Sequence, residues 1–178
     1  IIKRNVDRLS SLVRDILDLS QIENEASKIE QLTLNQLLNT LLDNQHLHQE
    51  TRLICTICDD TLLVDANREE LYSAFLNYID NALKFSPQGN IEISLEQHDN
   101  DAYFSVTDHG SGIDEQHIDR LFERFYRPDQ ARSRKLGGTG LGLSIVKNII
   151  EKYGGKVGVN SDVGKGSCFY FTIPLSSV

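Results

Sequence analysis

Ile2, Val6, Leu9, Val13 and Ile16 recur at alternating spacings of four and three, which is a coiled-coil-like seam. Leu12, Leu17 and Leu19 widen it into a face able to pack in a bundle, so a helix is expected over residues 1–25. The polar stretch NEASKIEQ reads as a linker, placed at 26–32, and the main domain is assigned to 33–178. A second helical pattern runs from Leu34 to Leu47, and Arg52–Cys58 and Leu62–Asp65 read as strands. Glu69–Phe85 is helical, with its stop marked by Ser86, Pro87 and Gly89. Ile91, Ile93 and Leu95 alternate with Glu92, Ser94 and Glu96, as in a half-buried strand, and Tyr103–Thr107 follows the turn-like HDND. Residues 109–140 hold glycines, charges and only short apolar stretches, a kind of connection that is usually functional or mobile. Leu141–Tyr153 is a helix ended by Gly154 and Gly155, and strands at Lys156–Asn160 and Ser167–Ile173 flank DVGKG. The sum is α+β: a mixed or antiparallel sheet covered by helices on one face, in two layers.

With 178 residues, 39% of them hydrophobic, the chain can bury a real core. Its net charge of -8 argues against nonspecific binding to nucleic acid or an anionic membrane face. No apolar run approaches the roughly 18 residues that cross a bilayer. The chain opens on Ile1 and reads as a piece of a longer or processed protein. Cys55 and Cys58 form a CxxC pair, but the histidines show no matching cluster, so free thiols in a strand are expected rather than a metal site.

Asn77 and Asn81 lie four apart on one helix face, with Lys84 and Phe85 about a turn further on. Such a face can offer oxygen ligands to Mg²⁺ and an ammonium to phosphate, although capping or solvent exposure accounts for this segment equally well. DHGSG, Asp108 to Gly112, follows an apolar strand; its carboxylate can accept from an exocyclic amine, and its glycines allow close approach to a ligand. GGTGLGLS, Gly137 to Ser144, leads into a helix whose N–H groups can hold phosphate oxygens. It matches neither GK[ST] nor GxGxxG. Arg124, Arg127, Arg132, Arg134 and Lys135 crowd the preceding loop of an otherwise acidic chain, which argues for a phosphate ligand.

In order and spacing, NYIDNALKFSP, DHGSGID, LFERFYR and GGTGLGLSIVKNIIEKYGG resemble the four boxes of sensor histidine kinase catalytic domains. The resemblance spans roughly residues 30 to 175 and implies a Bergerat-type α/β sandwich that binds ATP and Mg²⁺. It implies Asn77 and Asn81 on Mg²⁺, Lys84 at phosphate, Phe85 packed on the nucleotide and Asp108 on the adenine amino group. Gly110, Gly112 and Ile113 would shape the purine pocket, and Thr172 would sit near the adenine carboxylate. Phe122 and Phe125 would anchor a lid, Arg127 would reach phosphate, and Gly138, Thr139, Gly140, Leu141 and Gly142 would wrap the triphosphate.

The segment NVDRLSSLVRDILDLSQIE resembles the end of a second dimerisation helix. The phosphoacceptor histidine and its general base would lie upstream, so no catalytic base is assigned here, and the five histidines are read as surface or loop residues. The resemblance implies transfer of the γ-phosphoryl to a histidine of the protein's own dimerisation domain, then to a response-regulator receiver aspartate. The full-length protein would be a homodimer in the bacterial cell membrane, with this domain in the cytoplasm. Alternatives are a nucleotide-binding pseudokinase and another ATPase or serine kinase of the same fold.

Overall fold

Alternation along two adjacent strands sets the geometry of the whole sheet. β4 (Ile91–His98) buries Ile91, Ile93 and Leu95, and β5 (Asp101–Asp108) buries Ala102, Phe104 and Val106. They form an antiparallel hairpin whose turn places Asp99 at φ 53. The computed structural model describes residues 28–44, 47, 49–128 and 138–176, together with Val13. The expected helix at 1–25, apart from a helical, exposed Val13, lies outside the described residues.

β7 (Gly166–Pro174) pairs antiparallel with β5, and β6 (Lys156–Asp162) pairs antiparallel with β7. β2 (Leu53–Ile57) lies parallel to β4, giving a five-stranded sheet ordered β2-β4-β5-β7-β6. A separate two-stranded sheet joins β1 (Glu30–Thr33) to β3 (Leu63–Ala66).

Among the described residues, three helices supply the second layer. α1 (Leu34–Leu42) buries Leu34, Leu37, Leu38 and Leu41. α2 (Arg68–Phe85) starts where the Asn67 side chain accepts from the Glu70 N–H, and it buries Leu71, Ala74, Phe75, Tyr78, Ile79 and Ala82 at helical spacing. α4 (Gly142–Lys152) buries Ile145, Val146, Ile149 and Ile150 against α2 and the sheet. Between β5 and α4 stands a single turn, α3 (Glu115–Ile118), with Asp114 as its cap. Phe75 meets Phe104 edge-on at 4.6 Å and Phe171 at 5.6 Å, so α2 is locked onto the central strands. Truncating Phe75 to alanine there would cost about 3–5 kcal/mol. The ends of α2 and α4 are also tied: buried Glu70 receives Lys152 Nζ at 2.9 Å and Tyr153 Oη at 2.5 Å.

The α+β, two-layer expectation is met, with three corrections. Glu30–Thr33 is a strand rather than linker, and Leu32 is buried in the core, so the domain begins before residue 33. The adjacent polar residues Glu30 and Gln31 hid that strand. α1 stops at Leu42 instead of Leu47; Leu47, itself helical, is still buried in the core, and its N–H donates to the Asn44 carbonyl. The connection after β5 contains α3, whose single turn is too short to show a period.

Candidate functional site

The face of α2 turned away from the core carries Ser73, Asn77, Asp80, Asn81 and Lys84, which line a cavity of about 560 Å³. Asn77 Nδ2 donates to the carbonyl and the hydroxyl oxygen of Ser73, at 2.9 and 3.3 Å. That fixes which end of the amide faces inward: Oδ1 points at Gly142, where an added Cβ would sit only 2.5 Å away. Glycine there leaves room for the oriented carbonyl oxygen, which a larger residue would push aside. Arg52, held by Glu50, donates to the Ser86 carbonyl at 2.7 Å and so secures the C-terminal end of α2 beside Phe85.

Asp108 ends β5 with only 5% of its surface exposed. The Gly110 N–H donates to its Oδ1 at 2.7 Å, which a side chain at Gly110 would crowd. Burial pushes the carboxyl above its ordinary range, and hydrogen bonds from the Gly110 and Ser167 backbone pull it partly back. An acceptor so buried in the cavity wall suits a neutral N–H donor on a ligand.

The loop after Asp108 is docked onto the β6–β7 hairpin. Gly164 N–H donates to Ser111 O at 2.7 Å, and Ile113 N–H to Ser161 Oγ at 2.9 Å. Gly112 takes φ 65, and a Cβ there would fall 1.9 Å from Asp162 O, so only glycine fits. Ser161 donates to Gly166 O at 2.8 Å, which leaves Ser167 as donor in the 2.9 Å Ser161–Ser167 contact. Ser167 thus keeps its lone pairs beside Asp108.

Gly138, Thr139, Gly140 and Gly142 form the far wall at the start of α4. The α4 N-cap, Leu141, makes no side-chain cap bond, so its own side chain does not take up the first N–H groups, which a helix N-terminus can offer to an anion. Thr139 Oγ1 accepts from Leu141 N–H at 3.2 Å, and Ser144 Oγ donates to Leu141 O at 2.8 Å.

The cavity gathers Asn77, Asn81, Lys84, Phe85, Asp108, Gly112, Ile113, Arg127, Gly138, Thr139, Gly140 and Gly142. Gly110 stands behind Asp108 rather than in the wall, and the Leu141 side chain is buried in the core. Thr172 is misplaced: it pairs with Tyr103 and Lys156, whereas Ser167, five positions earlier on β7, pairs with Asp108. At about 3.3 Å per residue, those positions put it some 16 Å away along the strand. Of the two residues expected to anchor a lid, Phe122 packs on the core, whereas Phe125 is 66% exposed at φ 65. His117 is not loop filler; it lines the cavity and bonds Tyr126. Arg132, Arg134 and Lys135 lie outside the described residues. Sequence reasoning missed Ser73, Asp80, Tyr126, Val163, Ser167 and Phe169. Of these, only Ser73, one helical turn before Asn77, carried a readable signal.

Residues 66–177 match the family described as Histidine kinase-, DNA gyrase B-, and HSP90-like ATPase. The chain is 33% identical to the sensor histidine kinase WalK of Bacillus subtilis, covering 98% of this chain and 30% of that kinase. A mycobacterial sensor histidine kinase, MprB, superposes with TM-score 0.71 at 27% identity, over 85% of this chain and all of that one. Full-length ShkA, crystallised in complex with AMPPNP, gives TM-score 0.79 at 28% identity, over 97% of this chain and 37% of that one. The chain spans less than half the length of the curated relatives it matches.

Proposed function

The chain belongs to the histidine kinase-, DNA gyrase B- and HSP90-like ATPase family, and from that premise we propose that it is the ATP-binding catalytic domain of a sensor histidine kinase. The observation that carries this reading is one cavity uniting a buried carboxylate, an oriented carboxamide face and a helix N-terminus. Asp108 accepts from the adenine amino group, with Ser167 beside it in the place expected of Thr172. Phe85, Ile113 and Phe169 pack around the base, and Lys84 and Arg127 meet phosphate oxygens. The N–H groups of Gly140 and Gly142 hold the triphosphate at the start of α4, beside the Leu141 N–H that Thr139 already occupies.

Mg²⁺ fits this donor set. The oxygen of Asn77 is turned inward by Ser73, and Asn81 lies a turn further along the same face, which suits a hard cation that binds oxygen. Bound there, it would neutralise charge on the phosphates. The chain's own contribution is to grip the nucleotide, align the γ-phosphoryl and exclude water, because phosphoryl transfer asks mainly for positioning and electrostatics. The acceptor is a histidine of the protein's own dimerisation domain, and an aspartate on a response-regulator receiver domain takes the phosphoryl next. The whole protein acts as a membrane-bound homodimer with this domain in the cytoplasm. AMPPNP in the ShkA structure supports the nucleotide assignment.

Incubation with radiolabelled ATP tests the reading in two steps. The isolated chain is expected to bind Mg-ATP in calorimetry yet gain no acid-labile label, and to phosphorylate a separately supplied dimerisation domain of its own full-length protein. Absence of adenine-nucleotide binding would sink it.

A further inference from the structure

Two side chains in the cavity wall are bonded to each other: His117 Nδ1 lies 2.7 Å from Tyr126 Oη. α3 carries His117, and Ile118, Leu121 and Phe122 just beyond it pack on the core. That packing gives the turn its own attachment, independent of the His117–Tyr126 bond. Tyr126 is held on its ring face as well. The Arg120 guanidinium carbon stands 4.2 Å from the ring centroid, and Arg120 is fixed in turn by Glu123 at 3.0–3.2 Å.

The neighbours of Tyr126 belong to the phosphate end of the cavity. Phe125 adopts φ 65, which L residues seldom take, and its N–H donates to Gly140 O at 2.8 Å. Arg127 lines the cavity with its Nε against Gly140, 3.2 Å from where a Cβ would be. The run 125–127 is therefore pinned by its backbone on one side and by the tyrosine hydroxyl on the other.

We propose that His117, through its hydrogen bond to Tyr126, is a positioning residue that aims Arg127 at the terminal phosphates of the nucleotide. The proposal rests on the ATP reading above. An arginine reaches its target through a long, flexible stem and loses rotamer freedom when fixed. Holding the adjoining backbone beforehand removes part of that loss, so the benefit is felt only by ligands that Arg127 touches. The geometry also specifies which ring nitrogen matters. Nδ1 makes the bond, and the polar atoms of an asparagine side chain reach about as far from the backbone as Nδ1. Those of glutamine match Nε2, which lies 3.5 Å from the Gln116 amide.

The test is calorimetry on the whole 178-residue chain with ATP, ADP, AMP and adenosine. The variants are His117→Ala, His117→Asn, His117→Gln and Tyr126→Phe, each also combined with Arg127→Ala. Loss of the hydroxyl–imidazole bond by His117→Ala, His117→Gln or Tyr126→Phe should weaken ATP about three- to tenfold. Adenosine affinity should stay at the parent value, and His117→Asn should retain ATP affinity. With Arg127 already replaced, neither His117→Ala nor Tyr126→Phe should cost anything further. Equal losses for ATP and adenosine, or undiminished losses without Arg127, would overturn the proposal and leave the pair as pocket scaffolding. Tyr126→Phe keeps the ring and its cation contact, so this variant should fold like the parent, and parental ATP affinity in it would by itself overturn the proposal. A parent chain that binds no adenine nucleotide would overturn the ATP reading and this inference together.

Discussion

Asp108→Asn separates binding from folding because the two respond in opposite directions. The substitution keeps an oxygen to accept from Gly110 N–H, so the turn after β5 retains its 2.7 Å bond. It replaces the other carboxylate oxygen by an amide that donates, and a donor facing the adenine amine cannot bond it. A charge-assisted hydrogen bond of about 1.5–3 kcal/mol is lost, equal to roughly tenfold to 150-fold in Kd. Stability should not follow. Burial holds the Asp108 carboxyl above its ordinary range, so the folded protein binds its proton more readily than the unfolded chain does. Its favourable contribution is complete below the unfolded pKa, about 3.9, and is lost as pH rises through the folded pKa. At neutral pH the buried charge is a burden, and the asparagine variant should melt no lower than the parent. ATP affinity of the parent should fall as acid protonates Asp108, a dependence the variant lacks. Calorimetry and thermal melts from about pH 4 to about pH 8 read both quantities. Parallel loss of affinity and melting temperature at neutral pH would refute the reasoning and mark Asp108 as structural.

Asn81→Ala should make nucleotide binding less dependent on Mg²⁺, seen by titrating ATP at several magnesium concentrations. Gly142→Ala places a methyl 2.5 Å from Asn77 Oδ1; the amide will swing away, and the magnesium-dependent part of ATP affinity should drop with the melting curve little changed. Gly112→Ala meets backbone instead of a movable side chain, at 1.9 Å and with φ 65. It should cost about 2–4 kcal/mol in urea unfolding. Ser167→Ala should weaken adenine-nucleotide binding severalfold, while Thr172→Val should leave it unchanged, as measured by calorimetry.

Periodicity made α2, β4, β5 and α4 legible, because each is long enough to show an apolar face and each buries that face in the same core. Most of the cavity wall followed, since Asn77 and Asn81 sit on the opposite face of α2 from Phe75 and Tyr78. What failed was information held in pairing rather than in the chain itself. Thr172 and Ser167 are both polar residues of β7, and only the register with β5 decides which of them stands opposite Asp108. The Phe125 aromatic ring suggested an anchor, but the positive φ that lets its N–H reach Gly140 leaves the ring largely in solvent. His117 sits on a single turn, where neither a helical period nor a motif can announce its bond to Tyr126. β1 escaped because Glu30 and Gln31 make a four-residue strand look like linker.

The bond from Phe125 N–H to the Gly140 carbonyl turns the stretch between them into a ring closed at its neck. Closing a loop costs an entropy that grows only with the logarithm of its length, so doubling the loop adds about 0.6 kcal/mol. Once the neck is fastened, the number of residues in the ring becomes a nearly neutral variable for evolution. Insertions or deletions among residues 129–137 would therefore leave Arg127 and Gly140 at their places in the cavity wall. Swapping longer and shorter connections between related kinases should accordingly leave nucleotide affinity largely unchanged.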